Sequence, residues 1–251
     1  MPRVMRIGRY TEILRRLDVI GRREGVMLSV LDELRRSGYA LPFCMVRCGP
    51  ATGPQLCISA GLHGDEPAGV EALLAFLERP VLPNIGITAF PCVNPTGFVA
   101  GTRTNDIGID LNRTFGQERG PQETELVRWA LGGQRFACGI DLHEDHEANG
   151  FYLYEHVRDT PELCPRIVAA VRAIGLPISD AASVEDRALV GGCVAPAEER
   201  LSPLVGFFSI YLFDRHSDHT LVPESTPILP MPARVAMHHA ALDAAIAALA
   251  P

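Results

Sequence analysis

The residues able to do chemistry gather where apolar runs break into loops. His63-Gly64-Asp65-Glu66 follows one such run, and Asp141-Leu142-His143 closes a later one. A histidine and a carboxylate three residues apart at a loop-to-helix junction can converge on one divalent ion, and a distant third ligand can lock it in place. His63, Glu66 and His143 would make a two-histidine, one-carboxylate site with a fourth position open to water, the opening that separates a catalytic zinc from a structural one. One Zn2+ suits these donors, and iron, nickel or manganese are compatible with the same residue types. The HxxE pattern alone is also met by an ordinary histidine beside a helix-start glutamate.

These residues need elements to hold them. Residues 10–37, with Ile13, Leu14, Leu17, Ile20, Val26, Leu28, Val30, Leu31 and Leu34 among many charges, read as two short amphipathic helices. Apolar runs at 41–46 and 55–62, separated by Gly49, Pro50, Gly53 and Pro54, read as a strand pair. Helical spacing follows over 66–77, a strand over 84–93, a helix over 123–131, a buried strand over 137–142 and a helix over 161–174. An apolar run covers 204–213, a shorter one surrounds Leu221 and Val222, and an Ala-rich helix covers 233–249. The alternation predicts an α/β fold: a mixed, mostly parallel twisted sheet with helices on both faces, in a single domain over 1–251. Both histidine clusters then fall at strand ends, where open α/β sheets keep their sites.

Composition narrows the function further. The 251 residues are 47% hydrophobic and 21% charged, which excludes a disordered chain, and a formal charge of -7 gives no basic face for nucleic acid. The longest uncharged stretch, 80–102, carries Pro80, Pro83, Pro91 and Pro95 and does not read as a membrane span. Arg3, Arg6 and Arg9 have no continuous apolar stretch behind them, so no secretory signal is expected. Seven cysteines, odd in number and without CxxC spacing, are expected to be unpaired buried thiols in a reducing cytoplasm.

Four stretches, in order GLHGDEPAG, PCVNPTGFVAGTRTNDIGIDLNRTF, GIDLHED and LVPESTP, resemble the zinc carboxypeptidase superfamily, especially its succinylglutamate desuccinylase and aspartoacylase branch. They span about residues 55–226. By that resemblance His63, Glu66 and His143 are the metal ligands and Glu224 is the catalytic carboxylate. Arg103 would polarise the scissile carbonyl, Asn112 and Arg113 would grip a substrate carboxylate, and Asp110 would orient His63. The implied reaction is hydrolysis of an amide bond next to a free carboxylate, in a small molecule or short peptide. The added C-terminal β domain common in the branch has no room after Thr226, which leaves a minimal catalytic domain as the expectation.

Other groups carry weaker signals. Glu144, Asp145 and His146 follow the third ligand and would hold a second ion or line the pocket. Asp214, His216, Asp218 and His219 form a polar stretch before Glu224, read as a solvated loop with some reach toward substrate. Tyr152, Tyr154 and Tyr211 are read as core or rim, and His156, His238 and His239 have no partner pattern. A non-catalytic metal- and carboxylate-binding module is the alternative function. A serine hydrolase is disfavoured because no GxSxG elbow is present.

Overall fold

The computed structural model describes residues 3–36, 39–158, 162–195 and 206–249. Helix α1 (Arg3–Gly21) leads into strands β1 (Val26–Arg36), β2 (Tyr39–Cys48) and β3 (Gln55–Ala60), then α2 (Pro67–Leu77), β4 (Gly86–Phe90) and α3 (Pro95–Ala100). A 3-10 turn (Leu111–Arg113) precedes α4 (Gln122–Leu131), β5 (Cys138–Glu144), β6 (Tyr152–Val157) and α5 (Cys164–Ala173). The short strands β7 (Ser183–Val184), β8 (Arg187–Val190) and β9 (Cys193–Val194) follow, then α6 (Phe208–Arg215), β10 (His219–Ser225) and α7 (Met231–Leu249).

All ten strands join one sheet in the order β1-β2-β4-β3-β5-β10-β6-β9-β8-β7. Its centre, β4-β3-β5-β10, is parallel, and the flanks are antiparallel through β1·β2, β2·β4, β10·β6, β8·β9 and β7·β8, apart from the parallel step β6·β9. The fold is therefore the expected mixed α/β sheet, partly antiparallel at its margins. Every residue of β4, β5 and β10 is buried, as parallel strands covered on both faces require. Leu142 and Gly139 point to opposite faces of β5 by the two-residue period. Leu142 meets Gly69 of α2 and Gly139 meets Leu212 of α6, so each face carries a helix.

Most expected elements are present, with three corrections. Residues 26–36 form an edge strand rather than a second helix: Val26, Leu28 and Val30 alternate, and a bulge between Val30 and Asp32 shifts the phase so that the run mimics helical spacing. The strands at 41–46 and 55–62 do not pair with each other, because β4 lies between them, antiparallel to β2 and parallel to β3. The cysteine expectation is overturned in one place: Cys164 and Cys193, 29 residues apart, form a disulfide between the start of α5 and β9, and five cysteines are free among the described residues. Sequence spacing carries no sign of that pairing, which packing of α5 against β9 creates. The cysteine ground for a reducing compartment goes with it. Residues Ser37, Pro161 and Leu204, which bound three of the expected elements, lie outside the described residues.

Candidate metal centre and active-site cavity

His63 and Glu66 stand on the connection from β3 to α2. Gly61, with φ of +66°, turns the chain out of β3, a conformation that favours glycine. Gly64 has a different reason: a Cβ built there would lie 1.9 Å from the carbonyl carbon of Gly97, so the loop packs backbone to backbone on α3. Asn94 caps α3 by accepting the N–H of Gly97 at 2.8 Å, and its amide donates to the carbonyls of Leu62 and Arg103 at 3.2 and 3.3 Å. One asparagine thus ties the histidine loop to the arginine loop.

His143 lies near the end of β5. One ligand atom each from His63, Glu66 and His143 lies within 4.8 Å of the others, all three residues are buried, and the group could hold a metal ion. Nδ1 of His63 is 2.5 Å from Glu66 Oε1, and Nδ1 of His143 is 2.8 Å from Glu66 Oε2. The opposite ring nitrogens face carboxylates: His63 Nε2 lies 3.2 Å from Asp110 Oδ1, and His143 Nε2 lies 2.9 Å from Asp141 Oδ2. Such a carboxylate behind each imidazole fixes ring orientation and tautomer, leaving Nδ1 as the ligand atom. The donor set fits a divalent ion of borderline softness: two nitrogens and a carboxylate, converging and backed by two further carboxylates.

The charges explain the titration of the cluster. Burial alone would raise the Glu66 carboxyl, but His143 and His63 outweigh it and hold the group well below the usual carboxylate range. Burial would lower His143, and Asp141 and Glu66 on its two nitrogens outweigh that and raise it. For Asp110, burial raises and the bond to His63 with the nearby Arg103 lowers, and the balance again falls below the ordinary range.

The sheet register aligns the remaining groups. Glu224 of β10 pairs with His143 of β5 on one side and with Tyr152 of β6 on the other, so the three side chains form a row across adjacent strands on one face. Glu224 is therefore a strand residue only 9% exposed, and its Oε2 is buried without a hydrogen-bond partner among the described residues. Burial, with Glu66, Asp145 and Asp141 adding to it and His143 opposing, lifts its carboxyl well above the usual range.

Arg103 donates through Nε to Asp110 Oδ2 at 3.0 Å and reaches within 3.7 Å of Glu66 Oε1. Asp110 also caps the 3-10 turn by accepting the N–H of Asn112 at 2.9 Å. Asn112 accepts the N–H of Phe208 at 2.8 Å, which fixes its amide, and the Arg113 guanidinium stacks 4.0 Å over the Phe207 ring. No carboxylate pairs with Arg113 among the described residues. All eight residues singled out by the resemblance converge: His63, Glu66, Arg103, Asn112, Arg113, His143 and Glu224 line one cavity of about 620 Å³, and Asp110 stands directly behind His63.

The other candidates divide. Asp145, His146, Tyr152, Tyr154 and His156 line the same cavity, whereas Asp214, His216, Asp218 and His219 do not. His219 faces Glu155 at 2.6 Å, His216 faces the carbonyl of Gln134 at 2.9 Å, and Asp218 pairs with Arg135 and Arg158, which makes that stretch a structural corner. Glu144, Asp145 and His146 form no second metal-capable group among the described residues. Sequence reasoning named Asp141 but gave it no role, although a two-residue step along a strand places it on the face of His143. It passed over Ser59, whose hydroxyl donates to Asp141 at 2.6 Å. The wall of Ser179, Ala181, Ser183, Val184, Glu185 and Arg187 had no signal beyond its place in the fold.

Residues 52–197, more than half of the chain, match the family of the succinylglutamate desuccinylase/aspartoacylase catalytic domain, and the chain belongs to that family. Carboxypeptidase SOL1 of Arabidopsis thaliana is 30% identical over 143 residues, 46% of this chain and 29% of that protein. Murein peptide amidase A of Escherichia coli (strain K12) is 38% identical over 99 residues, 39% of this chain and 40% of that protein. The matches thus span less than half the length of these curated relatives. A crystal structure of a candidate metallopeptidase from Shewanella amazonensis superposes with a TM-score of 0.78 at 22% identity, covering 98% of this chain and 94% of that one, and shares the fold. Family and site together support a metal-dependent hydrolase. No helix among the described residues is long and apolar enough to cross a membrane.

Proposed function

We propose that this chain is a zinc-dependent hydrolase of an amide bond adjacent to a free carboxylate, in a C-terminal peptide or an N-acyl amino acid. The observation that carries the reading is the placement of Glu224, a buried carboxylate whose Oε2 has no partner among the described residues, beside the His63, Glu66 and His143 cluster, in a cavity that also holds Arg113, which pairs with no carboxylate among the described residues. Zinc held by His63, Glu66 and His143 would supply Lewis acidity, lowering the pKa of water to roughly 7 and polarising a carbonyl.

The chain's own groups supply the rest. Arg113, braced on Phe207, presents a planar fork to the substrate carboxylate, and the Asn112 amide adds a donor. Arg103, anchored on Asp110, faces the carbonyl oxygen as negative charge develops there. Glu224 takes a proton from the attacking water as its oxygen bonds to the carbonyl carbon. The same carboxyl then delivers that proton to the leaving nitrogen as the carbon–nitrogen bond breaks, giving an acid and an amine. Asp110 and Asp141 keep the two imidazoles aimed throughout.

Elemental analysis of the purified chain, followed by turnover of paired substrates that differ only in a free or an amidated carboxylate, tests this. One zinc per chain and at least tenfold preference for the free acid are expected. Equal turnover of both members removes the role given to Arg113 and Asn112, and binding without any turnover favours the non-catalytic module.

A further inference from the structure

We propose that Glu144 and Arg234 are positioning residues that relieve Glu66 of helix capping and hold it toward the metal position, an inference that rests on the metal-site reading above. Glu66 occupies the position before the first residue of α2, where a side chain ordinarily accepts an N–H of the first helical turn. It makes no such bond. Its oxygens face the two histidine Nδ1 atoms, and Oε2 also accepts the backbone N–H of Glu144 at 3.0 Å. An unpaired N–H would remain at the buried start of α2, whereas α3 carries its own cap in Asn94.

Glu144 meets it from another element. Its Oε1 accepts the N–H of Ala68 at 2.7 Å, so the cap of α2 comes from the end of β5. Its Oε2 accepts from Arg234 Nη1 of α7 at 2.6 Å and lies 3.4 Å from Ser225 Oγ. The Glu144 side chain is fully buried, so Arg234 is the cation that makes its charge tolerable there, and Arg234 Nε has no partner among the described residues. Glu144 therefore acts on Glu66 twice, through its own N–H and through the helix start that carries Glu66. Neither Glu144 nor Arg234 takes part in the proposed proton or carbonyl chemistry. Removing the cation leaves a buried carboxylate without compensation, and the cheapest response is to move Glu144 and the first turn of α2 with it.

The test uses the full chain and zinc alone. Affinity is read by competition with a chromophoric chelator at one pH, with melting of the metal-free protein measured alongside, for the parent, Arg234→Met, Arg234→Lys and Glu144→Gln. The parent should bind one zinc. Arg234→Met should bind roughly 10–100-fold more weakly, the range for supports behind a ligand. Arg234→Lys, which keeps a cation at the carboxylate, should recover most of the loss. Should Arg234→Met not fold, Glu144→Gln decides, with at least tenfold weaker binding expected of it. Folded variants that melt lower yet bind zinc within twofold of the parent would show a purely structural pair and overturn the proposal. So would equal weakening by Met and Lys at position 234. A parent that binds no zinc overturns the metal reading itself, and this inference with it.

Discussion

Exchanging Glu224 for Gln should separate activity from stability, because the proposed function gives this carboxylate a chemical role and the structure gives it a poor resting place. The substitution keeps size and shape but removes the group that accepts and returns a proton. Positioned acid–base groups contribute about 10²–10⁴-fold, so turnover of a carboxylate-bearing amide should fall by that factor, about 2.7–5.4 kcal/mol in the barrier. Metal content should be unchanged, since Glu224 is not among the three candidate ligands. Stability should move the other way. Oε2 is buried and unpartnered, and Glu66, Asp145 and Asp141 add to the burden of its charge. A buried carboxylate without a compensating cation is disfavoured relative to a neutral amide of the same shape, so where the carboxyl is ionised the metal-free variant should melt at or above the parent. The pH dependence has a definite sign. A carboxyl whose folded pKa lies above its unfolded value of about 4.3 loses its stabilising contribution as pH rises through the folded value, so the variant's advantage should grow from about pH 4.3 upward. Steady-state kinetics, elemental analysis and thermal melts at several pH values measure all three quantities. Turnover within tenfold of the parent would remove Glu224 from the chemistry. A variant less stable than the parent above pH 6 would show that its charge is compensated, against the geometry.

Three further outcomes follow from the packing. Gly64→Ala should cost about 1–3 kcal/mol by overpacking, and should weaken zinc binding too, because the new Cβ collides with the backbone at Gly97 and Phe98 while His63 sits next door; parent-like melting and zinc affinity would contradict the close approach. Glu155 accepts the N–H groups of Leu163 and Cys164 and faces His219, and although burial opposes it these bonds hold its carboxyl below the ordinary value. Its contribution is present above about pH 4.3 and lost as pH falls through the lower folded value, so Glu155→Gln should lower stability near neutrality and flatten the acid limb of a denaturation series, whereas parallel curves would contradict the network. The disulfide closes a 29-residue separation containing the cavity wall from Ser179 to Arg187. Reduction should therefore cost about 3–4 kcal/mol on the loop-closure argument and raise KM more than it lowers kcat. Thiol titration of the denatured, unreduced chain should find five of the seven cysteines, and seven would remove the bridge.

The chemistry was legible in the sequence because its residues are bound to local pattern. HxxE at a strand-to-helix junction, a histidine closing a buried apolar run and the DLNR stretch each declare themselves within a few positions. Glu224 was readable only through its place after the other three motifs. Its buried strand setting was not readable from its neighbours, since Pro223 within β10 breaks the usual strand signal. The first edge strand was misread for a local reason as well: a one-residue bulge converts a period of two into one that resembles a helix.

What tertiary structure decided was adjacency. Ser59 against Asp141, Asp141 against His143, Glu224 between His143 and Tyr152, and Arg234 under Glu144 all depend on which strands neighbour and which helix covers them. Register and crossover order join residues tens of positions apart, and no local propensity encodes them. The same holds for Cys164 and Cys193 and for the cavity wall their bridge encloses. Sequence alone named the candidate groups, His63, Glu66 and His143 by residue type and spacing, and Arg103, Asn112, Arg113 and Glu224 by resemblance to a family. Only the packed sheet could put Asp141 behind His143 and Glu224 beside it, because orientation is a property of neighbours brought together by folding.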